Sequence, residues 1–484
     1  MKTIGYKMEY FDIFTHIIVV MSLGWYMITN LQWYNYKLER VVLKHHKQQW
    51  HIVYFATPLV LFYLLPSLYF AVYFYLLYLS GFFIWNKNLD KPLVLTGRVK
   101  RFLAILLFTT FAVDTLLMFS DSPIYGLFLP LILTYIITTI LERVLFLGFK
   151  SKAKERLGTI RNLQTIAITA SYGKTSIKNY LFQVLSKKYN VYMTPRSVNT
   201  LGGIVLDVNR DLPLDTQIYI AEAGARQTGD IEEIVNFIEP QYAIIGSVGE
   251  QHIEYFKTLD NIIHTKMEIL KSPKLVHGFV NDSVPMLQYD TITKYPSNIN
   301  ITRSDLNGIW FDLNVDGKIE HFHAPILGSF NAINLTSVIL MAKTLGMSID
   351  EIKVALHNMK PVEHRLHLSK VNGKLILDDS FNGNLEGMLE AVEIASTYTG
   401  RKVIITPGLV ESTMEANVEF AHAIDATFDV IIITGDLNAK LFDKVIVHHK
   451  PIFLKNKAKM QEMLLEETHI GDLILFANDA PNFI

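Results

Sequence analysis

The chain has 484 residues, a formal net charge of −1 and no cysteine. That length accommodates about three domains. The balanced charge gives no footing for nucleic acid, and the missing cysteines exclude disulfides, thiolate nucleophiles and cysteine-ligated zinc. Half of the residues are hydrophobic and 19% are charged, below the roughly 25% of ordinary soluble domains. The deficit falls before residue 150, so the two parts of the chain are composed for two solvents.

Windows 13–34, 52–85, 102–119 and 123–149 approach or exceed the roughly 20 apolar residues that cross a bilayer. Window 52–85 is long enough for two short spans and breaks near Pro66 and Ser67, because proline removes a backbone donor. The pattern predicts an α-helical membrane segment of about five helices over 1–150, with Tyr and Trp clustered at their ends. Basic residues follow the first span (Lys37, Arg40, Lys44, Lys47), the third (Lys87, Lys91, Arg98, Lys100, Arg101) and the last (Lys150, Lys152, Lys154, Arg156). The Pro66-Ser67 turn and the loop at Ser120 to Pro123 carry none. This alternation predicts a multi-pass protein of the cytoplasmic membrane, with everything after 150 in the cytoplasm. The start of the chain then lies outside, which Lys2 and Lys7 oppose; a first helix lying in the interface is the alternative. A cleaved signal peptide does not fit, since the apolar core is too long and no small-x-small site follows. Asp114, in the fourth span, reads as snorkelling or bundle-facing, with an ion path as the alternative.

After residue 150 short apolar runs alternate with helical patterns. "TIAITA", "QIYIAEAG", "YAIIGSVG" and "LVHGFVND" read as strands, separated by helical stretches such as "TGDIEEIVNFI". A second set, "KLILDDS", "RKVIITPG", "FDVIIITGD", "PIFLKN" and "DLILFAND", starts after Pro361. Residues 298–324 read as a small β excursion. Such alternation predicts two α/β domains, 151–360 and 361–484. The first would be a central parallel sheet of P-loop ATPase type, the second Rossmann-like.

The first strand runs into "TASYGKTS". The general phosphate loop, G-x-x-x-x-G-K-[ST], needs glycine where Ile168 stands. A helix beginning near Gly173 would still aim backbone N–H groups at phosphate, with Ser171 and Ser176 in the same loop. Lys174 can reach the β- and γ-phosphates and Thr175 can ligate Mg²⁺; an ordinary turn with a lysine is the alternative. Glu222 ends a strand, where α/β sheets bind ligands, and a carboxylate there can hold Mg²⁺. After a short strand ending near Thr194, "TPRSVNTLGGI" supplies Asn199 and Gly203; "SVGEQHIEYF" supplies His252 and "HTKMEIL" Lys266. Singly these read as a strand-end acid, a loop histidine and a solvated lysine.

Together they resemble the Mur ligases, ATP-dependent amide-forming enzymes of cell-wall synthesis. The branch most similar joins D-alanyl-D-alanine to UDP-N-acetylmuramoyl-tripeptide. Its phosphate loop, T-G-[ST]-[NS]-G-K-T-[ST], places a glycine three positions before the GKT glycine, where this chain has Ala170; Tyr172 replaces the usual Asn or Ser. Thr194, Pro195, Asn199 and Gly203 match a second motif, "EAGA" from Glu222 a third, and "SVGEQHIEYF", ending at Phe256, a fourth. A lysine fourteen positions after that histidine is carbamylated in relatives, and 266 − 252 is fourteen. "GSFNAIN" places Asn331 and Asn334 in adenine-side positions, with Phe330 replacing a histidine. Arg365 matches the arginine that opens the last domain, and "LDDSFNGN" supplies Asp378, Asp379, Ser380, Asn382 and Asn384. The resemblance spans 160 to about 440. The domain that holds the UDP-sugar in relatives is replaced by the apolar segment, and the late K-G-S-R motif is absent.

The resemblance implies transfer of the γ-phosphoryl of ATP to a carboxylate, then attack by an amine on the acyl phosphate. Thr175 and Glu222 would hold one Mg²⁺, His252 and carbamylated Lys266 a second. Arg365, Asp379 and Asn382 would close the site from the last domain. Implied partners are the UDP-muramoyl-tripeptide and D-alanyl-D-alanine or a related wall precursor, membrane lipid and other cell-wall enzymes. Two alternatives stay open: ligation onto another wall polymer of the poly-γ-glutamate type, and a membrane ATPase or scaffold without ligase activity.

Overall fold

A computed structural model describes residues 10–43, 45, 47–89, 91–118, 126–250, 253–285, 290–296, 298–380, 385–410, 412–454 and 459–478. Lys2, Lys7, Lys44, the loop at 120–123, His252, Asn382 and Asn384 lie outside these residues. The chain divides into two compact units, Met1–Gly148 and Phe149–Ile484.

Three helices among the described residues are long and apolar enough to cross a membrane: Ile13–Trp33 and Ser67–Lys87 in the first unit, and Phe128–Thr159, which starts there. A shorter apolar helix, Gln49–Leu64, ends just before Pro66, and Ser67 starts the next; the predicted break is there because Pro66 has no N–H to continue the ladder. The helix Gly97–Met118 places Arg98, Lys100 and Arg101 at one end and Asp114 near the other. It packs against the first helix at Gly24, where a Cβ would lie 2.0 Å from Leu106. Asp114 faces the bundle and meets His16 Nδ1 at 3.0 Å.

Among the described residues the second unit holds three sheets. The first is wholly parallel: β1 (Gln164–Thr169), β2 (Val191–Met193), β3 (Ile218–Glu222), β4 (Tyr242–Ile245), β5 (His277–Asn281) and β6 (Ile292–Tyr295), in the order β2-β3-β1-β4-β5-β6. Its central strands β1, β3 and β4 are buried along almost their whole length because helices cover both faces. Ile166, Ile168, Ile220 and Ile244 pack with Ile177 and Leu181 of the helix Lys174–Leu185 and with Leu335, Val338 and Ile339 of Phe330–Thr344. The β excursion is an antiparallel meander of β7 (Asn300–Asp305), β8 (Gly308–Val315) and β9 (Lys318–Ala324).

The third sheet contains β10 (His367–Val371), β11 (Lys374–Asp379), β12 (Lys402–Thr406), β13 (Val430–Thr434), β14 (Ile452–Leu454) and β15 (Leu473–Ala477), in the order β10-β11-β15-β12-β13-β14. Only β10 is antiparallel. Two strands go beyond the sequence reading, β6 and β10. The second is joined to β11 through Asn372-Gly373, both at positive φ (49° and 77°), the backbone a two-residue hairpin requires.

Candidate functional site

The central sheet changes direction of winding at β1, which lies between β3 and β4. Loops leaving the carboxyl ends of these strands therefore diverge around one crevice, the ligand position of open α/β sheets. Register brings Ile168 beside Glu222 and Thr169 beside Ile245, so the phosphate-loop segment, Glu222 and the 246–250 loop start at one level.

The loop turns at Gly173, in the left-handed region with φ of 80°, and the helix Lys174–Leu185 starts there without a side-chain cap. Its first N–H groups are thus left for a ligand. Glycine is required twice over: by its φ, and because a Cβ would lie 2.6 Å from Asn334 Oδ1. Ser171 anchors the loop, its N–H to the Ser247 carbonyl at 2.9 Å and its hydroxyl to the Gly249 carbonyl at 2.9 Å. Lys174 Nζ folds back on the loop, donating to the carbonyls of Ala170 (2.6 Å) and Ser171 (3.0 Å). Burial pushes its ammonium down to about 8; Glu222 opposes the shift and Arg365 adds to it.

Ala170, the residue that departs from the family loop, is buried beneath the cavity and is not part of its wall. Its methyl faces Gly246, where a Cβ would approach to 2.9 Å. Tyr172 does reach the cavity and lies over Gly249, where a Cβ would be 3.0 Å from the ring. Burial raises its phenol, and Glu386 and Glu250 raise it further.

Glu222 is 1% exposed. Its Oε2 accepts from the Thr175 hydroxyl at 3.1 Å and its Oε1 from Asn199 Nδ2 at 3.3 Å. Lys178 Nζ lies 3.2 Å from Oε2 and is itself wholly buried. The sequence reading missed Lys178. The signal was present: it stands four residues after Lys174, on the same helix face. Two hard oxygens meeting beside a phosphate loop suit Mg²⁺, which takes one or two carboxylates and completes its shell with water and substrate phosphates. Among the described residues no cluster of three or more His, Asp or Glu side chains could hold a metal. Lys266 is 3% exposed; burial, and then Lys174, push its amine well below the ordinary lysine value.

A cavity of about 1000 Å³ opens over this loop. Ser171, Gly173, Lys174, Thr175, Ser176, Glu222 and Asn334 line it from the central sheet, Arg365 and Asp379 from the last. Ile299, Ile301, Phe330 and Ile333 give it an apolar side. Asp379 is oriented by the Leu366 N–H at 3.0 Å, and Asp378 by His364 at 2.7 Å. Glu390 crosses from the helix Leu385–Ser396 to the start of Phe330–Thr344, accepting the N–H groups of Ser329 and Phe330. Asn331 and Lys266 are not on the cavity wall. Asn331 bonds the Leu327 carbonyl at 2.7 Å and accepts from Asn334 at 3.0 Å, so it supports Asn334, which in turn meets Gly173. His252 and Asn382 lie outside the described residues.

Residues 168–342 match the Mur ligase middle domain. A UDP-N-acetylmuramoyl-tripeptide–D-alanyl-D-alanine ligase of Bacillus subtilis (strain 168) is 26% identical over 344 residues, covering 66% of this chain and 73% of that protein. The ligase of the same name from Escherichia coli (strain K12) is 25% identical over 269 residues, covering 52% of this chain and 59% of its own length. This chain thus spans about three-fifths to three-quarters of these relatives. The MurF ligase of Thermotoga maritima, solved in complex with ADP, superposes with a TM-score of 0.59 at 22% identity, over 69% of this chain and 80% of that one.

Proposed function

We propose that this chain, a member of the Mur ligase family, is an ATP-dependent, ADP-forming amide ligase of cell-wall precursor synthesis that joins D-alanyl-D-alanine to UDP-N-acetylmuramoyl-tripeptide. One observation carries the reading most: a phosphate loop whose Thr175 is bonded to a buried strand-end carboxylate, Glu222, under a cavity of nucleotide size.

A carboxylate is a poor electrophile, and phosphorylation by ATP makes it a good one. Phosphoryl transfer needs positioning and charge neutralisation more than covalent help. The N–H groups at the start of Lys174–Leu185 and the Lys174 ammonium take the β- and γ-phosphate oxygens. Thr175 and Glu222 would hold Mg²⁺, whose chemistry when bound is to offset the negative charge of the phosphates. The γ-phosphoryl passes to the substrate carboxylate, the amine attacks the acyl phosphate, and phosphate leaves. Arg365 and Asp379 complete the cavity from the last sheet, and the family motif adds Asn382. Burial that disfavours the charged form of Lys266 supports its carbamylation, because only the neutral amine combines with CO₂; with His252 it would then hold a second Mg²⁺.

Residues 1–150 anchor the enzyme in the cytoplasmic membrane, and the domains 151–360 and 361–484 work in the cytoplasm, where ATP and the precursor are. Lipid and other wall enzymes are its partners there. The apolar surface of the first unit also favours a second reading, ligation onto another wall polymer of poly-γ-glutamate type presented at the membrane. Phosphate release by the purified protein decides between them. Release that requires both the UDP-muramoyl-tripeptide and D-alanyl-D-alanine supports the first reading. Release with neither makes the protein an ATPase or scaffold, and release only with a polyglutamate acceptor supports the second.

A further inference from the structure

Lys178 has a place in the site that phosphate binding does not explain. Its side chain is wholly buried, and its ammonium has two partners, Glu222 Oε2 at 3.2 Å and the backbone carbonyl of Arg196, to which it donates. Arg196 sits in the left-handed region with φ of 47°, a conformation a non-glycine residue adopts at a cost. The loop it begins delivers Asn199 to Glu222 Oε1, and the Asn199 carbonyl accepts the Gly224 N–H at 2.8 Å. At Gly224 a Cβ would lie 2.8 Å from the Asn199 side chain. Lys178 therefore ties together the phosphate-loop helix, a strained loop and the carboxylate.

Lys174 and Lys266 also act on Glu222 electrostatically, but Lys178 forms the ion pair with it, and a buried carboxylate that loses the ammonium paired to it is strongly destabilised. A divalent cation could supply that charge, but only while bound. We propose that Lys178 is a positioning residue, the resident counter-ion of Glu222: it keeps the carboxylate aimed at Thr175 when no divalent cation is present. It also opposes entry of a bare divalent cation, so that Mg²⁺ arrives with the charge of the nucleotide phosphates. This rests on Glu222 as the metal-holding carboxylate of the proposed ligase.

Thermal unfolding of the full chain in detergent, without nucleotide, tests it. Wild type should melt within about 1 °C at the same temperature in EDTA and in excess Mg²⁺. Lys178→Met should melt roughly 5 °C or more lower in EDTA, and Mg²⁺ alone should restore most of that loss. Lys178→Met/Glu222→Gln, which removes both charges, should return to within about 2 °C of wild type and ignore Mg²⁺. An equal loss for Lys178→Met in EDTA and in Mg²⁺ overturns the proposal, since packing alone then explains Lys178. Should the single variant not accumulate, the double variant decides: recovery supports the counter-ion, and a protein that also fails overturns it. No arm uses a wall precursor, so this failure is separable from failure of the ligase reading, which the phosphate-release assay addresses.

Discussion

The two units treat buried polarity in opposite ways. In Met1–Gly148 many large apolar side chains face outward, with Leu64 71% and Phe108 74% exposed, around a core that includes Leu23, Phe74 and Leu106. Inward polar groups pair with one another, His16 Nδ1 with Asp114 at 3.0 Å and His45 Nε2 with Asn30 at 2.8 Å, while His16 Nε2 and Trp85 Nε1 are buried without a hydrogen-bond partner. In Phe149–Ile484 the apolar residues are inside. There Lys174, Lys178 and Lys266 gather about Glu222, with Asp207 also acting on Lys178 and Glu268 on Lys266. A neutralised inward pair is what a bundle needs to hold its helices together in apolar surroundings. Burial disfavours the charged form of each of these lysines, a cost that an anionic ligand offsets. The first arrangement is structural, and the second suits an anionic ligand such as the phosphates proposed for it.

The sharpest way to break that contrast is Lys174→Ala. If the lysine crowd exists for the nucleotide, phosphate release should fall by about 10³-fold, while the melting temperature stays level or rises by about 1–3 °C as repulsion is relieved. A fall in both would make Lys174 part of the structural core instead. Removing one partner in the first unit, His16→Leu, should do the reverse: lower stability in detergent and leave phosphate release within about twofold.

Lys266→Ala comes next. Under the carbamate proposal ligation should drop by about 10²-fold, with ADP affinity little changed because Lys266 is off the cavity wall. Depleting CO₂ should slow wild type in the same direction. Unimpaired ligation by the variant would end the proposal and leave Lys266 as another unit of buried charge.

The pH dependence is smaller and has a fixed sign. Lys174 is depressed in the folded protein from the ordinary lysine value of 10.5 to about 8. Between these values the unfolded chain binds more protons than the folded one, so this group makes stability rise as pH is raised from about 8 toward 10.5. Phosphate needs the charged form. ADP affinity should therefore weaken by up to about tenfold per pH unit above 8, and binding there should take up a proton. Calorimetry in buffers of different ionisation enthalpy measures that uptake; affinity flat from pH 7 to 10 would remove Lys174 from the phosphate site.

How far this site was legible depended on the range of its signals. The phosphate loop and Glu222 were readable because each is a local pattern, a strand end running into a turn. Lys178 was overlooked because a lysine within "KTSIKNYL" looks solvated until the helix packs on β3. The support of Gly173 by Asn334 joins positions 161 residues apart (334 − 173), which no local pattern encodes. The strand β10 was missed for another reason. Its Asn372-Gly373 turn is a clear hairpin signal, but "HLSKV" is too polar to read as a strand, because as the antiparallel edge of its sheet it is only half-buried.

Ala170 gives the smallest expected effect. A methyl three positions before the GKT glycine looks like an obstacle to phosphate if the loop is compared with its family pattern alone. In the folded unit that methyl is turned away from the cavity and fits only because β4 is followed by Gly246, with Ile177 Cδ1 2.9 Å from where a Cβ there would stand. Ala170→Gly should change ADP affinity by less than about twofold and cost about 1 kcal/mol through added chain freedom. Gly246→Ala places two methyls in one space and should destabilise by about 1–3 kcal/mol. Combining it with Ala170→Gly should recover part of that loss, a coupling that isolated substitutions do not show. A large gain in affinity for Ala170→Gly would mean the methyl does face phosphate, and the lysine crowd would then be compensating for a loop that binds its ligand poorly.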